Sequence, residues 1–413
     1  MAESRQQALS RRAFLAGSGA VLGCGRAPGT TALRARNSAP VDDASPAEPL
    51  DAGSAAEARS VYALFDAYPA LASSLPRIEL GAFPSAIEHA TSLLEDGRLW
   101  IKRDDDFTRS ASWRSSFELA RTFGGGKVRK LELYFGEARA QGKRRIITCG
   151  GTGSNQALAA ALLGSALGFS VVLHLAPQPR STLTVKNLAG DAAAHAEMRL
   201  FDTVAEGLAQ AKRDAQRSDD TFVIPPGGTT PLGTLGFVSA GLELAEDVRA
   251  GRMPAPQRIY VALGLGGSAA GLGIGCALGG LHTEIVAVRA SNPGTVTAAT
   301  LRAIHDEAIA FARAGDPRIA LLKFEDTNVR IDGRFVGAGY GAPSLAGTEA
   351  IARAERAEGW QLDPVYTGKA LAALLDDARA EPRAAGPLLF WNTMSSRPFA
   401  IAPVPAPFQS YAR

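Results

Sequence analysis

A lysine directly behind a run of glycines is placed to react. In Phe123-Gly124-Gly125-Gly126-Lys127-Val128-Arg129-Lys130-Leu131-Glu132 the glycines permit positive φ and close approach of the backbone to a ligand. Val128, Leu131, Phe135 and Ala138 then recur at helical spacing, which predicts a helix beginning beside Lys127. A protonated amine is a poor nucleophile. Burial, together with the cations Arg129 and Lys130, would lower the pKa of Lys127 and free its lone pair for Schiff-base chemistry. On this stretch alone a solvated lysine after a glycine turn is the better account, and the rest of the chain reverses that.

Four further stretches could meet a ligand. Gly150-Gly151-Thr152-Gly153-Ser154-Asn155-Gln156 follows the strand-like Arg145 to Cys149 and opens a run rich in alanine and leucine. Taken alone, Ser154 and Asn155 read as a helix cap. Gly264-Leu265-Gly266-Gly267-Ser268 lies between a strand-like run and a helical one. Successive glycine N–H groups at a helix N-terminus suit a phosphate. No Gly-Lys-Ser/Thr follows them, and no acidic residue stands where a dinucleotide fingerprint needs one. Pro225-Pro226-Gly227-Gly228 ends another strand-like run. Asp363-Pro364-Val365-Tyr366-Thr367-Gly368-Lys369 puts a tyrosine on a loop before a helix, where by itself it reads as a packing residue.

These loops need elements to hold them. Strand-like runs at Leu99–Lys102, Arg145–Cys149, Ser170–Leu175, Met198–Phe201, Thr221–Ile224, Arg258–Leu263, Glu284–Val288 and Leu388–Trp391 alternate with helical runs, one of them ending before Gly190. The alternation predicts an α/β fold with mainly parallel sheets and helices on both faces, its ligand loops at the carboxyl ends of strands. A chain of 413 residues suffices for two domains. Its 46% hydrophobic and 21% charged residues are ordinary for a globular protein, and a net charge of +3 gives a nucleic-acid partner no support. Cys24, Cys149, Cys276 and the five histidines lack metal-ligand spacing, so no metal site is expected.

The N-terminus is of another kind. Ser10-Arg11-Arg12-Ala13-Phe14-Leu15 resembles a twin-arginine export signal, and Val21-Leu22-Gly23-Cys24 resembles a lipobox. Residues 1–24 are therefore expected to be a signal, with Cys24 a candidate lipid anchor and a periplasmic or envelope location. Residues 25–60 hold almost no large apolar groups and read as a disordered tether.

From Pro76 onward the pieces, in this order, resemble the fold-type II pyridoxal-phosphate enzymes of the 1-aminocyclopropane-1-carboxylate deaminase and D-cysteine desulfhydrase family. The resemblance rests on the stretches around Lys127 and Ser154, on Pro226-Gly-Gly-Thr-Thr-Pro-Leu-Gly-Thr-Leu-Gly236, and on Leu362-Asp-Pro-Val-Tyr366-Thr-Gly-Lys-Ala370. It implies a fold like that of the tryptophan synthase β chain. Residues 61–129 with 240–413 would form a large cofactor-binding domain, residues 130–239 a small α/β domain, and the chain would pair as a homodimer. It implies pyridoxal phosphate, with Lys127 as the Schiff-base lysine and general base. Lys130, Gly264, Leu265, Gly266, Gly267 and Ser268 would hold the phosphate. Asn155 would meet the ring hydroxyl and Thr393 the ring nitrogen. Ser154, Asn155, Gln156, Tyr340 and Tyr366 would bind substrate, and Ser154, Tyr340 and Tyr366 would join Lys127 in catalysis.

The chain departs from the family pattern at Gly126, usually Asn, at Ala157-Leu158, and at Asn392-Thr393-Met394-Ser395, usually His-Thr-Gly-Gly. Ser110 to Ala120 looks inserted. The expected activity is α,β-elimination or deamination of a small amino acid. Thr367 favours the D-cysteine desulfhydrase branch, because the cyclopropane deaminases usually carry Glu there. The alternatives are ring-opening deamination, or an exported binding protein of the same fold without turnover.

Overall fold

Apolar runs bounded by glycine-rich turns decide the architecture. The structure is a computed structural model that describes residues 62–114, 118–380 and 386–412. The expected signal, Cys24 and tether lie outside the described residues, as do residues 115–117 of the expected insertion.

The strands are β1 (Ile87–Ala90), β2 (Leu99–Lys102), β3 (Arg145–Gly151), β4 (Ser170–Ala176), β5 (Glu197–Leu200), β6 (Thr221–Ile224), β7 (Arg258–Leu263), β8 (Glu284–Arg289), β9 (Val329–Asp332) and β10 (Leu388–Trp391). The helices are α1 (Ala63–Ala67), α2 (Pro69–Ser74), α3 (Val128–Ala140), α4 (Asn155–Ala166), α5 (Thr182–Ala193), α6 (Val204–Arg217), α7 (Pro231–Arg249), α8 (Gly267–Leu278), α9 (Ala298–Gly315), α10 (Leu345–Glu358), α11 (Thr367–Ala380) and α12 (Gln409–Ala412). Strand order is β1-β2-β10-β7-β8-β9 in one sheet and β5-β4-β3-β6 in the other. Every pairing is parallel except β1 with β2. The second sheet takes all its strands from residues 145–224, and the described residues form one compact unit holding both sheets.

Parallel strands covered on both faces are apolar throughout. β10 shows this, with Leu388, Leu389, Phe390 and Trp391 all fully buried. α3 goes further. The sequence gives it one apolar face, yet Arg129, Lys130 and Glu132 are buried as well as Val128, Leu131 and Phe135. A charge in such a place needs a partner. Glu132 finds one in Arg77, at 2.6 Å, and also accepts the N–H groups of Leu80 and Gly81.

Two sequence expectations need correction. α5 does not stop before Gly190 but runs through it. A Cβ there would lie 2.5 Å from the Phe399 ring and 2.8 Å from Leu158, so this glycine allows close packing rather than ending the helix. β1, β9, α1, α2, α9, α10 and α12 lie outside the sequence expectations. β1 and β9 are four-residue edge strands whose burial barely alternates.

After β10 the chain crosses from one sheet towards the other. The Gly126 N–H donates to the Thr393 carbonyl at 3.0 Å, and the Ser396 N–H to the Asp105 carbonyl at 3.0 Å. Phe399 packs edge-on against Phe123, and the Ala402 N–H reaches the Ala189 carbonyl of α5 at 2.9 Å.

Candidate active site

Loops at the carboxyl ends of β3, β6, β7 and β8 join the starts of α3 and α11 around one cavity of about 490 Å³. It is lined by Lys127 and Lys130, by Ser154, Asn155 and Gln156, by the whole loop Gly264, Leu265, Gly266, Gly267 and Ser268, and by Tyr340, Tyr366 and Thr393. All the site residues expected from the sequence therefore meet at one place. Ser154 and Gly266 face the same cleft.

Lys127 enters it at the N-terminus of α3. Gly125 has φ +56°, and a Cβ on it would strike the Thr393 carbonyl oxygen at 2.4 Å. Both facts require glycine there. A Cβ on Gly126 would lie 3.0 Å from the Thr393 side chain. The glycine loop thus packs against the 393–395 stretch that follows β10. Lys127 Nζ lies 6.0 Å from the centre of the Tyr366 ring. Burial lowers its pKa, opposed by the charges of Asp363 and Asp104.

Arg129 does not contribute to that shift, contrary to the sequence expectation. Its guanidinium points away into carboxylates, donating from Nε and Nη2 to Asp104 at 2.7 Å each and from Nη1 to Glu243 at 2.9 Å. Asp104 also accepts from Trp391 Nε1 and Ser85 Oγ, and Lys102 bridges Glu243 and Asp247 at 2.7 Å each.

At the cavity's other end Gly266 stands directly before α8, with φ +99° and no side-chain cap to provide. Its first N–H groups are thus open to an anion. Lys130 Nζ donates to the Gly227 carbonyl at 3.1 Å, and burial, then the charge of Lys127, lowers its pKa to about 7. A Cβ on Gly267 would stand 3.2 Å from Thr234 Oγ1 and 3.3 Å from Lys130 Nζ. Thr234 Oγ1 is buried with no partner among the described residues. An open helix N-terminus, an ammonium and an unpartnered hydroxyl around a glycine cradle fit a phosphate group.

Between these ends lies room for a ring and an amino acid. Ser154 caps α4 by accepting the Ala157 N–H at 3.2 Å. Asn155 accepts from Asn187 Nδ2 at 2.8 Å, while its own Nδ2 has only the Met394 sulfur at 3.7 Å. Both amide atoms of Gln156 are buried without a partner among the described residues. Such orphaned groups on a cavity wall fit polar ligand atoms. Tyr366 donates to the Tyr340 hydroxyl at 3.1 Å, and burial raises the pKa of both, leaving two neutral hydroxyls.

The sequence did not reveal what holds the tyrosines. Asp363 accepts the N–H groups of Val365 at 2.9 Å and Tyr366 at 2.7 Å, and the Thr367 hydroxyl at 2.9 Å. An aspartate three residues ahead in a turn was a legible sign of this. Asn292 accepts the Tyr340 N–H at 2.7 Å, and Lys369 Nζ donates to the Val336 carbonyl at 2.7 Å. Those partners lie 48 and 33 residues away, with no local signal. Among the described residues no group of three His, Cys, Asp or Glu could hold a metal ion, and no helix is long and apolar enough to cross a membrane.

Comparison with known proteins agrees with this donor set. Residues 117–391 match the family described as pyridoxal-phosphate dependent enzyme. The chain is 31% identical over 350 residues to nocardicin C-9' epimerase of Nocardia uniformis subsp. tsuyamanensis, covering 82% of this chain and 99% of that one. It is 31% identical over 329 residues to D-cysteine desulfhydrase of Salmonella paratyphi A, covering 77% and 93%. The fold is similar to the crystal structure of an ACC deaminase homologue, with TM-score 0.66, 27% identity, and coverage of 81% and 95%. O-ureido-L-serine synthase shares the fold at 15% identity and TM-score 0.51, with coverage of 76% and 90%. This chain belongs to the pyridoxal-phosphate dependent enzymes of fold type II, and pyridoxal phosphate is its cofactor.

Proposed function

We propose that the protein is a lyase of the D-cysteine desulfhydrase kind, removing the α-proton of a small amino acid and expelling a group from its β-carbon. The observation that carries this reading is the convergence of a deprotonatable Lys127, Ser154 and the Tyr340–Tyr366 pair on one cavity. When bound, pyridoxal phosphate draws electrons from the bond to the α-hydrogen. Lys127, its amine freed by burial, takes the proton. Tyr366 and Tyr340, neutral donors in contact, deliver a proton towards the leaving group. Ser154 and the unpartnered Gln156 amide receive the substrate carboxylate. Lys130 and the 264–268 loop would hold the phosphate, Asn155 would meet the ring hydroxyl, and Thr393 would meet the ring nitrogen. With cysteine, one substrate molecule and one water give hydrogen sulfide, ammonium and pyruvate. Thr367, where the cyclopropane deaminases usually carry Glu, uses its hydroxyl on Asp363, and the residue type at this position supports elimination over ring opening.

Inversion at the α-carbon is the second reading. It is supported by the similarity to an epimerase along 99% of that protein's length and by proton-carrying groups, Lys127 and Tyr366, on the same cavity. The test is purified, cofactor-loaded protein with D- and L-cysteine and β-chloroalanine in heavy water. Release of ammonia and 2-oxo acid is expected. Inversion without ammonia release would favour the epimerase. No turnover and no solvent deuterium at the α-carbon would sink both readings and leave a binding protein.

We further propose export of the folded protein through Arg11-Arg12, lipid attachment at Cys24, division into the two domains given above, and a homodimer. Arg11→Lys with Arg12→Lys should trap precursor in the cytoplasm, and Cys24→Ala should release the mature protein from the membrane fraction. Sedimentation of the mature chain tests the dimer, and limited proteolysis tests the domain boundaries.

A further inference from the structure

The cavity continues past Ser154. A Cβ on Gly150 would sit 2.6 Å from Ser154 Oγ, while Cys149, the residue before it in β3, lines the same cavity from the other face of the strand. Beyond Gly150 the wall is aliphatic. Val204, Ala205 and Leu208 come from the first turns of α6, and Leu265 reaches over Gly227 from the opposite side. Val204 and Leu208 pack against the core cluster of Ile147, Cys149, Val172 and Ala211 but keep part of their surface open. Val204 and Leu208 are half-buried, Ala205 is exposed, and Leu265 is 37% exposed. Cys149 adds a neutral thiol, its pKa pushed up to about 12 by burial.

The charges on the cavity lining are Lys127, Lys130 and Asp363. The two lysines serve the cofactor, and both Asp363 oxygens are taken by the 365–367 turn. No group among the described lobe residues would balance a charged substituent. An apolar one would cover aliphatic surface that otherwise faces water.

We propose that this lobe is the subsite for the substrate's β-substituent, and that the substrate class is an amino acid whose β-carbon bears an uncharged apolar group larger than a thiol, such as an S-alkyl or S-aryl cysteine. The inference rests on the lyase reading and narrows it. In the reaction the Cα–H and Cβ–S bonds break. The α-proton passes to Lys127, and the sulfur leaves with the C–S electron pair and is protonated to a thiol. One water then hydrolyses the released enamine to ammonium and pyruvate, with no change of overall oxidation state.

The experiment uses the holoenzyme with S-benzylcysteine, S-methylcysteine, cysteine and β-chloroalanine, each as D and L forms. kcat/KM for S-benzylcysteine is expected to exceed that for cysteine at least tenfold in the preferred enantiomer. Ala205→Trp fills the lobe and Leu208→Asp charges it. Each should reduce the S-benzyl to cysteine ratio at least tenfold, mainly through KM, with the cofactor's visible absorption retained as the check on folding. A wild-type preference for cysteine, or an unchanged ratio in both variants, overturns the subsite. In either case turnover of β-chloroalanine leaves the lyase reading standing. Failure of wild type on every substrate, β-chloroalanine included, removes that reading and this inference with it.

Discussion

The first turn of α3 sends cations in two directions, and the two sides treat them oppositely. Arg129 and Lys130 are adjacent and both are buried. On the Arg129 side, burial alone would lower the pKa, but Asp104 and Glu243 outweigh it and raise it. On the cavity side, Lys127 and Lys130 meet no carboxylate at ion-pair distance among the described residues, and burial lowers both. Partners, rather than burial, separate a structural cation from a reactive one. The helix thus uses one face to anchor itself and the other to carry chemistry.

The sharpest way to break this comparison is Lys127→Ala. It should abolish the borohydride-reducible adduct and lower kcat on the order of 10³-fold or more. Thermal stability of the cofactor-free protein should hold, because no ion pair is lost. A reduced adduct mapped to Lys130 or Lys369 would reassign the cavity side.

On the other face, Arg129→Met should leave Asp104 buried without its cation and Glu243 with Lys102 alone. Removing one member of a buried pair costs about 3–5 kcal/mol, readable from the denaturant midpoint. The pH dependence follows from Glu243. Arg129 and Lys102 overcome burial and hold it at about 2, below its ordinary 4.5. Its contribution is present above pH 4.5 and is lost as pH falls towards 2, where the unfolded chain takes up the proton first. Glu243→Gln should flatten that acid limb.

This division also marks what the sequence could tell. The reactive side was legible because its parts are local: glycines next to Lys127, Ser154 directly after a glycine turn, Gly264 to Ser268 between a strand and a helix. The anchoring side was not. Arg129 meets Asp104 from 25 residues away and Glu243 from 114, and the charge pattern of α3 alone looks like a solvated face. β9 and α9 went unread for a similar reason, as neither begins at a glycine-rich ligand loop. The aliphatic wall on α6 was hidden because Val204, Ala205 and Leu208 carry no motif. Gly190 misled because a glycine that permits packing and one that ends a helix look the same in a sequence.

Lys130→Met sharpens the cavity side with a smaller effect. Loss of a charged hydrogen bond to phosphate should weaken cofactor affinity roughly 10- to 100-fold. The pH dependence separates this from a packing defect. In the cofactor-free protein Lys130 titrates at about 7. Below that it is already charged, and above it binding must first add a proton. Affinity for inorganic phosphate should therefore fall by up to about tenfold per pH unit above 7 in the wild type, and the profile should be flatter in Lys130→Met. Titration by calorimetry from pH 6 to 9 reads the difference. A steep fall in both proteins would show that another group receives the proton.

The smallest effect is expected at Lys369, a buried lysine of a third kind. Among the described residues it has no carboxylate at ion-pair distance, and it has no place on the cavity lining. Burial lowers its pKa against the charge of Asp363, and its Nζ donates to the carbonyls of Val336 at 2.7 Å and Gly339 at 3.4 Å. Those carbonyls belong to the loop that carries Tyr340, which Asn292 grips from the other side. Lys369 is thus a positioning residue for one tyrosine of the pair. Lys369→Met should lower kcat/KM about three- to tenfold, with the Lys127 adduct intact, since one modest hydrogen-bonding site is lost. A general loss of stability could imitate that fall, so the decisive measurement is a cycle with Tyr340→Phe. If Lys369 works through Tyr340, its substitution should have little further effect once the tyrosine hydroxyl is gone. Losses that simply multiply in the double variant would place Lys369 outside the catalytic arrangement.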